Sequence, residues 1–98
     1  MPEMTLTVRW PDGALQDCYS PSLVMHDYFT AETSYPVDDF MRRAVAALTQ
    51  ASERVKARYG MYCTSAAAQI DELRHVKTRY QDGEVTVVTM TPGREALT

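Results

Sequence analysis

Two cysteines, Cys18 and Cys63, are the side chains of this 98-residue chain best suited to nucleophilic chemistry. Each stands just ahead of an expected helix start. Cys18 is followed by Tyr19-Ser20-Pro21-Ser22, and Cys63 by Thr64-Ser65-Ala66. The partial positive charge at a helix N-terminus favours thiolate, so a thiol placed there acquires a lowered pKa and with it reactivity. Tyr19, Ser20 and His26 are the polar groups that a pocket beside Cys18 would present. The competing reading is that both cysteines fill small gaps in a core, where cysteine is among the most buried residue types. Two cysteines are too few for a disulfide framework, and in a reducing compartment they stay free thiols.

Other constellations are weaker. Cys18, His26, Cys63 and His75 could ligate zinc by residue type, but their spacing matches none of the short paired zinc patterns, so no metal is expected. Gly13, Gly60, Gly83 and Gly93 are too scattered to form a phosphate loop, and no cofactor is expected. Asp38 and Asp39 could be paired carboxylates for acid–base work, although the start of a helix explains them equally. Arg42, Arg43, Arg54, Lys56 and Arg58 share one stretch with only Glu53 as an anion. Arg43, Arg54 and Arg58 fall near one helical face. They could hold an anionic ligand or an acidic protein partner, or form the solvated back of the helix.

The elements that must position these groups follow from periodicity. Met4, Leu6, Val8 and Trp10 alternate with Thr5, Thr7 and Arg9, the signature of a half-buried strand. Trp10 ends the apolar face and is expected to be buried. Pro11-Asp12-Gly13 makes a turn, and residues 14–19 return as a second strand. Ser20-Pro21 reads as a helix start, with serine as N-cap and a short helix reaching about Phe29. Residues 30–34 are polar and read as loop. Val37, Met41, Ala44, Leu48, Ala51 and Val55 then form one apolar stripe, which predicts an unbroken helix from about Val37 to about Tyr59, roughly 36 Å long. Tyr35 and Phe40 are placed to staple its start, and Gly60 to end it. Ile70, Leu73, Val76 and Tyr80 give a second helix from Thr64 or Ser65 to about Tyr80. Residues 84–90 form a third strand with valines on both faces, and Thr91 to Thr98 reads as a flexible tail.

The expected fold is therefore one α+β domain over residues 1–90. A small, three-stranded, mainly antiparallel sheet is covered on one face by the long helix, the second helix and the short helix. Open sheet edges and alanine-rich helix faces make a homodimer the expected assembly. The formal net charge of −3 argues against a sequence-blind nucleic-acid binder. No apolar run reaches the roughly 20 residues that span a bilayer, and the first residues lack a signal-peptide pattern, so a cytoplasmic protein without membrane contact is expected.

Several motifs in combination resemble a known family. They are Met1-Pro2-Glu3-Met4, Val8-Arg9-Trp10-Pro11-Asp12-Gly13, Cys18-Tyr19-Ser20-Pro21-Ser22, Asp27-Tyr28-Phe29, Ala47-Leu48, Ala51-Ser52, Arg54-Val55, and Tyr59-Gly60 with Cys63. The chain resembles small bacterial proteins of a nitrogen-starvation response. These are encoded in gene clusters with a nitrilase, a radical SAM protein, an acetyltransferase-like protein and a flavoprotein. The resemblance implies a setting in nitrogen assimilation from nitriles or cyanide, and no catalytic signature comes with it. The expected function is a non-enzymatic accessory or interaction protein of that pathway, bound to a larger enzyme. The alternatives are a thiol-dependent enzyme or carrier using Cys18 or Cys63, and a sensor of a small anionic ligand.

Overall fold

The computed structural model describes residues 3–61 and 64–93. Among these, strand β1 (Met4–Arg9) and strand β2 (Leu15–Ser20) form the expected hairpin. The Trp10 backbone closes the turn, donating its N–H to the Ala14 carbonyl at 2.8 Å and accepting the Gly13 N–H at 2.8 Å. The long helix α1 (Val37–Tyr59) is continuous over its full expected length, and Gly60 ends it in the left-handed region at φ 83°. Helix α2 (Thr64–Lys77) stops about a turn short of Tyr80. The last strand, Glu84–Thr91, runs on by one residue past Met90.

The sheet has four strands, not three. The missing one is β3 (Thr33–Pro36), whose first half lies inside the segment read as loop; Glu84–Thr91 is therefore β4. All neighbours are antiparallel, in the order β2-β1-β4-β3. Only Tyr35 of β3 is buried, so the strand carries almost no apolar alternation to betray it. It forms because β4 is an interior strand whose backbone groups need partners on both sides. Glu32, left-handed at φ 62°, turns the chain onto that edge and donates its N–H to the Val87 carbonyl at 2.7 Å.

The register explains the valines of β4. Thr7 pairs with Thr89 but Val8 pairs with Val87, which leaves Val88 as an extra residue in a bulge. A bulge shifts the inward face by one position. Val85 and Val87 point into the core before it, and Met90 does so after it.

The helices cover one face of the sheet. Met4, Leu6, Val8 and Trp10 meet Phe40, Ala44, Leu48 and Leu73 in one core. Trp10 is buried as expected. It stacks on Tyr80 (5.4 Å between centroids, 8° between planes) and receives the edge of Phe40 at 5.5 Å. The Tyr35 and Phe40 rings meet through Phe29, which touches both. The alanines divide: Ala44, Ala47, Ala51 and Ala66 are buried, while Ala67 and Ala68 face outward.

The short helix is a 3₁₀ segment over Leu23–Asp27, and its cap is Ser22, not Ser20. Ser22 Oγ accepts the Val24 N–H at 3.3 Å. Ser20 remains the last residue of β2. Within the segment expected as a tail, Thr91 is the last residue of β4 and the Pro92 carbonyl oxygen lies 2.9 Å from His26 Nε2. Residues 94–98 lie outside the described set.

The outer edge of β2 is guarded. Its Tyr19 N–H donates to Gln69 Oε1 of α2 at 2.9 Å. A second copy pairing symmetrically about Asp17 would set two carboxylates opposite each other, a destabilising pair.

Gly83 links the sheet to the helix layer. It sits at φ 100°, and an added Cβ would lie 2.9 Å from Pro11 Cβ. Its carbonyl accepts the first N–H of α1, from Val37, at 3.1 Å. Replacing Gly83 by alanine therefore combines an unfavourable φ with a steric shift against Pro11. The expected loss is about 1–3 kcal/mol by urea unfolding. Gly60→Ala, with open space around its Cβ, should cost less. Equal losses at the two positions would refute the clash with Pro11.

Candidate functional site

Cys18 is the natural starting point. It lies inside β2 opposite Leu6, so it shares the inward face with Leu6. Helix α2 packs over this strand, and the thiol is fully buried. Burial pushes its pKa up to about 12, and the negative charges of Glu72 and Asp17 push in the same direction. The expectation of a thiol activated by a helix N-terminus is thus reversed at Cys18. The strand continues two residues further than such an arrangement needs, and the segment that follows is a 3₁₀ helix starting only at Leu23. Cys63 lies outside the described residues, and so does the question of a site shared by the two cysteines.

The other residues expected around Cys18 are committed to structure. The Tyr19 hydroxyl donates to Glu3 Oε2 at 2.9 Å on the open face of the sheet. Ser20 is buried, donates its hydroxyl to the Ser22 carbonyl at 2.7 Å and accepts the Ser22 N–H at 3.3 Å. His26 is buried, with Nε2 2.9 Å from the Pro92 carbonyl oxygen. A carbonyl only accepts, so Nε2 carries the hydrogen in this contact.

A polar chain that sequence reasoning missed links the hairpin to α2. The Trp10 indole N–H donates to Gln16 Oε1 at 2.8 Å. Gln16 Nε2 donates to Glu72 Oε1 at 3.2 Å. Gln69 Nε2 donates to Glu72 Oε2 at 3.3 Å, while Gln69 Oε1 receives the Tyr19 N–H. Glu72 thus ties α2 to the hairpin through two amides. A signal was present: Gln69 falls between Ala66 and Leu73 on the buried side of α2, where a polar residue needs partners.

The arginines do not converge. Arg43 Nε donates to Asp39 Oδ2 at 2.8 Å and its Nη1 to the Tyr28 carbonyl at 2.8 Å, with the guanidinium 5.0 Å from the Tyr35 ring centre. Asp39 also pairs with Arg42. The hydrogen bond from Arg43 holds the Asp39 carboxyl below its usual pKa, with Arg42 adding to it. Asp39 is therefore part of a structural ion cluster, and Asp38 pairs with Lys77 at 3.1 Å across the two helices. Arg54 Nη1 donates to Ser22 Oγ at 3.3 Å. Arg58 lies over the Tyr59 ring at 5.8 Å. Arg43 and Arg58 stand about 22 Å apart along the helix axis, too far to grip one small anion. Among the described residues, no group of three His, Cys, Asp or Glu side chains is placed to hold a metal ion.

Exposure concentrates elsewhere. The last buried residue of α1 is Ala51, and beyond it only Ser52 and Val55 are half-buried while the rest of the helix is exposed. Tyr59 and Met61 at that end are 59% and 70% exposed.

A family model for the nitrogen starvation-induced protein NitG matches residues 5–91, from within β1 to the end of β4. The chain belongs to this family. Membership makes it a nitrogen-starvation response protein, and the match spans all four strands and both helices, so the whole domain is the family's unit. No curated protein and no solved structure matches the chain. Among the described residues no helix is long and apolar enough to cross a membrane.

Proposed function

We propose that this NitG-family protein is a non-enzymatic accessory protein that binds a larger enzyme of bacterial nitrile or cyanide nitrogen assimilation. The observation that carries this reading is the end of α1 and the residues just past it, where Tyr59 and Met61 are exposed to solvent. Large side chains of this kind, exposed together at a helix end, are typical anchors of protein interfaces. A thiol enzyme or carrier acting through Cys18 ranks below it, because Cys18 is sealed under α2 and its thiol pKa is pushed up to about 12.

Complementation tests the choice. In a nitrogen-starved host lacking its own copy, the wild-type chain and Cys18→Ala should restore growth on a nitrile equally. Tagged versions of both should retain the same larger protein. A Cys18→Ala chain that melts cooperatively yet gives no growth would overturn the accessory reading in favour of thiol chemistry at Cys18.

A further inference from the structure

We propose that the exposed end of α1, with Met61 just past it, is a docking surface that seats in an acidic groove with an apolar floor on a larger protein. This deepens the accessory reading and rests on it. Three observations converge on this end. Of the three large apolar side chains left well exposed among the described residues, Tyr59 and Met61 are here, and only Leu15 lies elsewhere. The apolar stripe of α1 does not stop with the core at Ala51 but continues through half-buried Val55 to Tyr59. The same stretch carries Arg54, Lys56 and Arg58 against Glu53, in a chain whose net charge is −3.

The helix dipole accounts for cations in a last turn. It does not account for a tyrosine and a methionine held in water beside them. An aromatic, a methionine and arginines together have the composition of an interface centre. A helix end that presents apolar anchors flanked by cations fits a groove whose floor is apolar and whose rim is acidic. A lipid surface is the poorer match. Two exposed apolar side chains insert little area, and the rest of the chain is more acidic than its net charge, which opposes approach to anionic lipid.

The test places a photo-crosslinking benzoylphenylalanine at Tyr59, at Met61, or at exposed Thr89 of β4. The full chain is irradiated in nitrogen-starved cells. The expected result is an adduct from Tyr59 or Met61 with one larger protein, mapping to a peptide rich in Asp and Glu. Adding Lys56→Glu and Arg58→Glu should lower its yield at least about tenfold in a chain that still melts cooperatively. An adduct with the mass of two copies of this chain would overturn the proposal. So would a yield indifferent to the two charge reversals, or pelleting of the purified chain with phosphatidylserine vesicles. Adducts from Thr89 alone would sink this surface and leave the accessory reading standing. No adduct from any of the three positions would count against both.

Discussion

Cys18 in the native protein should react with a disulfide reagent at neutral pH at least about a thousandfold more slowly than the same thiol in urea. The pKa rise from the ordinary 9.0 to about 12 alone supplies that factor, because the thiolate is the reacting species. Closure under α2 adds to it, since the reagent must wait for the strand and helix to part. A Cys63→Ser background isolates the signal. The same shift has a consequence for stability. A thiol whose pKa is higher in the folded state stabilises the fold fully below the unfolded value, and this contribution is lost as pH rises towards the folded value. Stability should therefore decline from about pH 9 upward, by up to ~1.4 kcal/mol per pH unit through this group. Tyrosines and lysines also titrate in that range, so the comparison is with Cys18→Ala. The stability difference between the two proteins should shift in favour of the variant by about 1.6 kcal/mol between pH 9 and 10.5. Fast labelling of the native protein at pH 7, or a difference that does not change with pH, would show that Cys18 is not sealed.

Replacing Phe40 by alanine should cost about 3–5 kcal/mol, the largest single effect expected in the molecule. Phe40 is fully buried in the first turn of α1, where its ring meets Trp10 at 5.5 Å and Phe29 at 5.4 Å. Its removal leaves a cavity between the helix layer and the sheet, and Trp10 and Phe29 each lose one of their ring contacts. A domain of this size has only ~5–15 kcal/mol of stability in total. The urea midpoint should fall accordingly at constant slope, and the melting temperature by roughly 4–8 °C for each kcal/mol. Thr49→Ala, exposed on the same helix, should stay within about 0.5 kcal/mol. A Phe40→Ala loss below 1 kcal/mol would mean that the aromatic cluster does not hold α1 to the sheet.

The sequence by itself determined the elements whose signal is local. The alternation from Met4 to Trp10 placed β1 and buried the tryptophan. The stripe from Val37 to Val55, with Asp38 and Asp39 at one end and Gly60 at the other, gave α1 its whole length. The motifs from Met1 to Cys63 placed the chain in its nitrogen-starvation family. Periodicity and capping are properties of neighbours in the chain, so they can be read there. Tertiary structure decided the rest. Strand β3 exists because β4 offers an unpaired edge, a fact about residues some fifty positions away. Cys18 has a raised pKa, not a lowered one, because α2 closes over it and brings Glu72 near. Arg43, Arg54 and Arg58 look alike on a helical wheel, yet one meets Asp39, Tyr28 and Tyr35, one meets Ser22, and one stands at the free end over Tyr59. Burial, charge environment and hydrogen-bond partners are set by contacts between segments far apart in sequence, and no local pattern encodes which segments will meet.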